Sequence, residues 1–445
     1  MYRIVFSLIA VSVFGTVKGK NTLVFDTLDK NQQTAYYDSL TFVQYNNLDY
    51  KSLKTTIKEA ERLGISFQYL NYRKAIAYYE LKNYAKAIKY YEKALYDVPD
   101  DMFLKESLYF AYLQSGQDVN ATIFAQTLPK TSQERIGFSS SFLDFINFSG
   151  GYTFSDNNEK LRNGIANLDT INQYQDMISG GIIFGLNLSN RVKLIAGYNL
   201  FSTKFERFAQ NSLQHKDILS QHQLNIGTEF YLKYNFSLGF TGGFYALDKN
   251  YKSTAQNSGN ETEQGGERAR QSSQSMDYKL SALIFLNKRF IYVTPEISFA
   301  YSNFASSHQL QSKLQLTYYP LGNLNFYGIT SGAIIFDSDK KRGNKAVVSQ
   351  KLGGKLFKNM WLDGMISVGN HLNYITERSF IVYDTYDPIL LMSNLSLSYY
   401  FKKITVSTTY SWTQKEGWAF TDYYAKLLKY KYNNHLINLT IKWNL

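Results

Sequence analysis

Residues 394–412, NLSLSYYFKKITVSTTYSW, alternate apolar and polar side chains, break at Lys402 and Lys403, and alternate again. Leu395, Leu397, Tyr399 and Phe401 share one face going in; Ile404, Val406, Thr408, Tyr410 and Trp412 share one face coming out. A period of two marks a strand whose faces meet different surroundings. From about residue 137 the period is two throughout. FINFSGGYTF (145–154) sets Ile146, Phe148, Tyr152 and Phe154 against Asn147, Ser149 and Thr153. ISGGIIFGLNL (178–188), QLNIGTEFYL (223–232), KLQLTYY (313–319) and LINLTIKWNL (436–445) follow the same scheme. Runs of about ten alternating residues separated by turns suit transmembrane barrel strands, apolar toward lipid and polar toward the lumen.

The connections favour a barrel over a soluble pair of packed sheets. Short ones, SNR (189–191), KYN (233–235), NKR (287–289), PLGN (320–323), FKN (357–359) and KK (402–403), alternate with longer polar segments. The latter lie near 156–171, 208–218, 250–276, 303–308, 337–344, 370–388 and 414–432. Tight periplasmic turns alternating with larger outside loops predict a 14-stranded antiparallel transmembrane β-barrel over 137–445. Tyr231, Tyr234, Phe236, Tyr318, Tyr319, Tyr399, Tyr400 and Phe401 gather beside the short turns, as amphipathic rings do at a lipid–water boundary. The final alternation of Ile437, Leu439, Ile441 and Trp443 resembles the signal read by barrel-insertion machinery.

The first third has a different period. LNYRKAIAYYELKNYAKAIKYYEKALYDVP (70–99) carries Ala75, Tyr78, Tyr84, Ala87, Tyr91, Ala94 and Pro99. Thirty-four residues earlier, Tyr50, Leu53, Ile57 and Ala60 match Tyr84, Ala87, Tyr91 and Ala94; thirty-four later, Ala121 matches Ala87 and Gly116 falls in a turn. Small residues let paired helices approach, aromatics fill the gaps, and proline ends the second helix. The segment 20–130 thus resembles about three tetratricopeptide repeats, a short α-solenoid. In that family the first helix of each repeat lines a groove. The resemblance places Tyr69, Tyr72, Ile76 and Tyr79 of the middle repeat there, with Phe42, Tyr45, Tyr109 and Tyr112 from the flanking ones. Two readings of this stripe stand open: packing against the next element, or a surface anchoring a protein partner through rigid aromatics.

Arg3 followed by the apolar run Ile4–Val17 and polar KGKNT resembles a secretory signal over 1–19. The chain has no Cys, which excludes disulfides, thiolate chemistry and a lipid-modified N-terminal cysteine. The net charge of +12 is scattered rather than clustered, so no nucleic-acid partner is expected. On the barrel phase, Lys193, Lys279, Lys313, Lys351, Lys355 and Lys442 face inward opposite Glu229, Glu296 and Asp363, either a solvated wall or a slight preference for anionic cargo. Strand glycines such as Gly150, Gly180, Gly242 and Gly353 permit bends or close approach of something inside the lumen.

Chemistry is sparse. His215, His222, His308, His371 and His435 form no close ligand pair, so no metal, cofactor or catalytic residue is expected and the protein reads as a non-enzyme. A barrel hydrolase needs a Ser and a His on adjacent strands facing the same way; Ser220 and His222 share a strand face, but no third orienting group is visible. The acidic stretch GNETEQGGE (259–267) reads as a surface loop rather than a weak calcium site. The layout of a secreted chain, periplasmic repeats and C-terminal barrel resembles outer-membrane exporters, most of all the surface lipoprotein assembly modulator (Slam) type, and also polysaccharide exporters with larger repeat arrays. The Tyr-, Asn- and Lys-rich composition resembles Bacteroidota outer-membrane proteins. These resemblances imply an α+β multidomain protein of the outer membrane with a periplasmic N-terminal domain. Its partners would be lipid, a periplasmic or membrane protein, and an exported protein or polysaccharide. An accessory barrel of a larger secretion complex and a passive solute porin are the alternatives.

Overall fold

A computed structural model describes residues 29–139, 141–156, 170–209, 212–253, 272–304, 307–339, 343–376, 378, 380–382, 387–421 and 426–445. The expected signal segment 1–19 and the acidic stretch 259–267 lie outside them. The chain divides into two compact units: one of 1–139 with Pro320–Leu324, the other of Ser140–Tyr319 with Asn325–Leu445.

The first unit contains seven helices among the described residues, mostly in pairs: Lys30–Asn46 with Tyr50–Arg62, Leu70–Glu80 with Tyr84–Asp97, and Met102–Gln114 with Asp118–Ala125. The turn between partners recurs at a spacing of 34. Leu48, Lys82 and Gly116 each adopt a left-handed conformation, with φ of 57°, 59° and 73°. Just after them, the N–H groups of Asp49, Asn83 and Gln117 donate to the carbonyls of Gln44, Tyr78 and Tyr112. Helix starts are capped by short polar side chains. Asp29 forms a capping box with Gln32, and Asp49, Asn83 and Asp101 accept from the N–H groups of Ser52, Lys86 and Leu104. The core has the same period. Leu53, Ala87 and Ala121 are fully buried, as are Ile57, Tyr91 and Ala125 one turn on. A further helix, Lys130–Arg135, lies between the segment 20–130 and the barrel segment that begins near 137.

The second unit is a closed antiparallel barrel of fourteen strands. They are β1 (Leu143–Ser155), β2 (Thr170–Ser189), β3 (Val192–Ala209), β4 (Ser212–Tyr231), β5 (Phe236–Ser253), β6 (Ser272–Lys288), β7 (Val293–Ser302), β8 (Gln309–Tyr318), β9 (Phe326–Asp337), β10 (Lys345–Phe357), β11 (Met360–Gly369), β14 (Ile389–Tyr400), β15 (Ile404–Thr421) and β16 (Lys426–Asn444). Two further short strands, β12 (Ile375–Thr376) and β13 (Ile381–Val382), form a separate hairpin. β1 closes the ring on β16, pairing Phe148 with Ile441 and Tyr152 with Ile437. Alternation decides which face is which: Leu395 and Leu397 are 53% and 42% exposed on the outside, while Ser398 is 8% exposed within. No helix among the described residues is long and apolar enough to cross a membrane, which says nothing about strands.

Two expectations fail on length. The segments 208–218 and 414–432 are largely strand: β3 and β4 run out to Ala209 and Ser212, and β15 and β16 to Thr421 and Lys426. β2–β6, β15 and β16 have 17 to 20 residues, against 10 to 13 for β7–β11 and β14. The longer strands carry one side of the wall well past the shorter one. There charges replace apolar residues on the outside, in pairs such as Lys204–Asp176, Lys216–Glu206 and Lys429–Glu416. At their far ends β2 and β15 also pair directly, Ile171 with Ala419.

Candidate functional site

In the helical unit the eight stripe residues separate into three environments. Phe42 and Tyr69 are 51% and 49% exposed. With Phe67 they surround the Arg73 guanidinium, at 5.4 to 5.8 Å from the ring centres. Arg73 is itself buried and donates to the Asp38 carboxylate and the Thr41 hydroxyl at 2.7 Å. Tyr45 and Tyr72 are half-buried. Tyr72 is central: it meets Tyr45 and Tyr69 edge-on and Phe103 at 6.5 Å. Burial, then the neighbouring Tyr45 and Asp101, push its hydroxyl up to about 12. Ile76 and Tyr109, by contrast, are core residues, 6% and 7% exposed, and do not belong to an open groove. Tyr79 packs edge-on against Tyr84 and Tyr91, and Tyr112 against Phe124 while its hydroxyl donates to Glu92. The stripe thus reduces to a cluster of Phe42, Tyr45, Tyr69 and Tyr72, joined by Phe103, 56% exposed, which helical spacing within one helix had no means of adding.

In the barrel, register places the inward-read residues on one face. Lys193 pairs with Asp144 at 3.0 Å, Lys279 with Asp277 at 3.0 Å, and Lys351 with Asp363 at 3.8 Å. Asp363 also accepts from the Tyr327 hydroxyl. Lys355 lies over the Trp361 ring, Lys442 over Phe145, and Lys313 stands across from Ser298. Lys193 stands across from Glu229 in the strand register, yet the ion pairs of Glu229 and Glu296 among the described residues are with an arginine. Both carboxylates accept from Arg378, at 2.8 and 3.1 Å, and its guanidinium also stacks 3.9 Å from the Phe285 ring.

Arg378 belongs to the segment between β11 and β14, read from the sequence as an outside loop. Glu229 and Glu296 sit near the short turns, two residues from the end of β4 and three from the start of β7. The segment therefore enters the lumen from one rim and reaches toward the other. Its hairpin, β12–β13, is fastened around much of the wall. Ile375 exchanges two hydrogen bonds with the Gln311 side chain on β8, 2.8 and 3.0 Å long. Tyr374 packs with Ala333, Ile335 and Val347 of β9 and β10, and the Phe380 carbonyl accepts from Asn199 on β3. Two wall glycines make room: a Cβ on Gly239 would collide with the Phe285 ring, and one on Gly197 would stand 3.0 Å from Phe380. At the base of the segment His371 is fully buried, bonded to the Ser367 hydroxyl and the Ile389 carbonyl.

Beside the hairpin lies a cavity of about 700 Å³, walled by β1–β4 and β14–β16 and by Phe380 and Asp387. Its lining alternates carboxamides and hydroxyls with rings, among them Asn199, Gln223, Thr409, Phe201, Phe205 and Tyr174. Asp387 accepts from the Tyr432 hydroxyl at 2.7 Å. His222 and Ser220 fall on the opposite, outer face, where His222 bonds the Tyr198 hydroxyl at 2.7 Å. The same Tyr–His contact recurs on the outside at Tyr301–His308 and Tyr410–His435. Among the described residues no group of three His, Asp or Glu side chains is placed to hold a metal ion.

No protein-family model and no curated protein sequence matches the chain. Among solved structures, the P. putida toluene transporter TodX is similar over 69% of this chain and 91% of its own, at 8% identity and a TM-score of 0.45. A Pseudomonas aeruginosa FadL homologue is similar over 68% and 90%, at 8% identity and 0.43. The translocator domain of the autotransporter NalP from Neisseria meningitidis is similar over 75% and 98%, at 10% identity and 0.31. Likenesses this remote carry no argument about this chain, whose fold and site rest on its own strand order and residues.

Proposed function

We propose that the chain is an outer-membrane export or assembly protein. The barrel lies in the membrane with its apolar outer face in lipid. The helix pairs are tetratricopeptide-like repeats in the periplasm, in a layout similar to that of the Slam-type and polysaccharide exporters. They capture a protein or polymer partner, and the barrel anchors or passes it at the cell surface. The cluster of Phe42, Tyr69, Tyr72 and Phe103 carries this reading. Its three outer rings are about half exposed, they are rigid, and Phe42 and Tyr69 flank a buried guanidinium. Large aromatics of this kind dominate protein interfaces at little entropic cost, and a module tethered to a barrel raises the local concentration of whatever it holds.

A second reading, an accessory barrel in a larger secretion complex, is favoured by the hairpin tied across the lumen at Gln311, Asn199, Glu229 and Glu296. Anything large passing through must first break those contacts. A photoreactive residue at Tyr69 or Phe103 is expected to form adducts with a second protein or polymer in intact cells. Adducts found only within the chain would make the cluster internal packing and end the capture reading. Conductance across planar bilayers separates the rest: small currents that rise in Arg378→Met agree with a plugged lumen. Stable, large, ungated currents from the unaltered protein, with nothing co-purifying, would instead make it a porin. Recovery in fixed ratio with another barrel selects the accessory role.

A further inference from the structure

The cavity beside the hairpin has a wall chemistry that the export reading does not use. Gln223, Gln221 and Asn434 are 1%, 6% and 2% exposed. Yet Gln223 Oε1, Gln221 Nε2 and both polar side-chain atoms of Asn434 have no hydrogen-bond partner among the described residues. Asn147 Oδ1 and Asn394 Oδ1, from β1 and β14, are in the same condition, and all five side chains line the one cavity. A buried amide is costly to leave unpaired. Five of them converging from β1, β4, β14 and β16 mark a surface whose partners come from outside the protein.

We infer that this cavity is a binding site for a neutral, hydroxyl-rich molecule, a short oligosaccharide. Three features of the wall choose the class. A carboxamide presents a donor and an acceptor side by side, and a hydroxyl, which both donates and accepts, satisfies either one. Phe201, Phe205 and Phe380 share the wall and offer flat apolar faces to the C–H faces of a sugar ring. The charges present are already engaged: Asp387 by the Tyr432 hydroxyl, Lys415 over the Tyr174 ring at 5.0 Å, and Lys442 over Phe145 at 4.3 Å. A hydrocarbon would leave every carboxamide unpaired, and an anion would find no uncommitted cation among the cavity's charged side chains. The volume falls within the range of about 300–1,000 Å³ usual for small-molecule sites. The site belongs to the barrel alone and stands whether or not the helical unit captures a partner.

The test is titration calorimetry on the full-length protein in detergent micelles, with the neutral probes maltotriose, cellotriose and mannotriose. Trigalacturonate serves as the anionic probe and trialanine as the peptide probe. At least one neutral trisaccharide is expected to bind at one site per chain. Gln223→Leu and Asn434→Leu are each expected to weaken it about tenfold, the loss that follows from one hydrogen bond. Heat-modifiable gel mobility reports whether each barrel remains folded, and Gln221→Leu replaces either variant that does not fold. Absence of binding by all three neutral probes overturns the inference. So does tighter binding of trigalacturonate or trialanine, or binding that the folded variants leave unchanged. Loss of adducts at Tyr69 has no bearing on these outcomes, so the two proposals fail separately.

Discussion

The helical unit and the barrel differ in the balance of apolar and polar side chains that they enclose and expose. Between the helices the large enclosed side chains include Leu53, Ile57 and Tyr91, each 1% exposed or less, with the polar Thr41, Arg73 and Ser115 buried among them in hydrogen bonds. Within the barrel Gln223, Asn434 and Ser302, at 1–2%, are enclosed alongside rings such as Tyr245 and Phe304, while Leu224, Ile226 and Tyr399 stand 40–58% exposed outside. Both arrangements are stable folds of one chain because the environment, and not the residue, sets the sign. The helices exclude water from an apolar interior. The barrel satisfies its backbone through a closed ladder with no free edge, so its strands can carry apolar side chains on the outer face and polar ones on the inner. Buried polar side chains such as Arg73 and Thr41 in the first unit are paired within the chain, whereas Gln223 and Asn434 in the second keep polar atoms without a partner among the described residues.

The contrast breaks most visibly in the helical core. Tyr91→Ala opens a cavity among Ala75, Tyr79 and Leu108 and is expected to cost about 3–5 kcal/mol, the usual range for removing a buried ring. Urea unfolding of the full-length protein in micelles, followed by helical circular dichroism, should show the early transition shift while the barrel's gel mobility is unchanged. A shift of both together would mean that the units do not unfold separately. A smaller effect tests the outer face. Leu395→Arg puts a charge midway along β14 and is expected to cost about 2–4 kcal/mol of folding into vesicles. Ser396→Arg, one residue on and facing the lumen across from Asp363, should cost far less. Equal costs at the two positions would mean that the outer face does not meet lipid.

How much of this was legible follows from the same contrast. A period of two carries its own phase, so Lys193, Glu229, Lys279 and Asp363 could be set on one face from spacing alone. Strand ends were harder. Around Lys216 and Lys429 the outer face carries ion pairs instead of apolar residues, the alternation fades, and strand reads as loop. The hairpin was invisible because β12 and β13 have two residues each and their partners, Gln311, Asn199 and Glu296, are distant in sequence. Nor did Glu229 and Glu296 point to it, because inward lysines such as Lys193, across from Glu229 in the register, already stood to oppose them. In the helices, spacing put Ile76 and Tyr109 on the same stripe as Tyr69 and Tyr72. Spacing names a face, but which part of that face is covered depends on the neighbouring pair, as Phe103 shows.

The smallest expected effect isolates one helix cap. Asp49 and Asn83 stand 34 residues apart, at the start of the second helix in successive pairs, and each accepts from the N–H three residues on, at 3.1 and 3.2 Å. Only Asp49 titrates. Hydrogen bonds from Ser52, through its side chain and then its backbone N–H, hold the carboxyl below its ordinary value of 3.8. With the folded value depressed, the cap's contribution is present above the unfolded value and is lost as pH falls through the folded one. Acid should therefore weaken the first helix pair below about pH 4, the ordinary carboxyl value, while the Asn83 cap is indifferent. Asp49→Asn copies the neutral cap, so it should leave stability at neutral pH nearly unchanged and flatten this part of the acid dependence. Asp49→Ala should lower stability at every pH above the transition, because it removes the acceptor as well as the charge. Helical unfolding midpoints of the three proteins at pH 7 and at pH 3 check the point. If Asp49→Asn is as acid-sensitive as the unaltered chain, the loss comes from other carboxylates, and the two caps are equivalent after all.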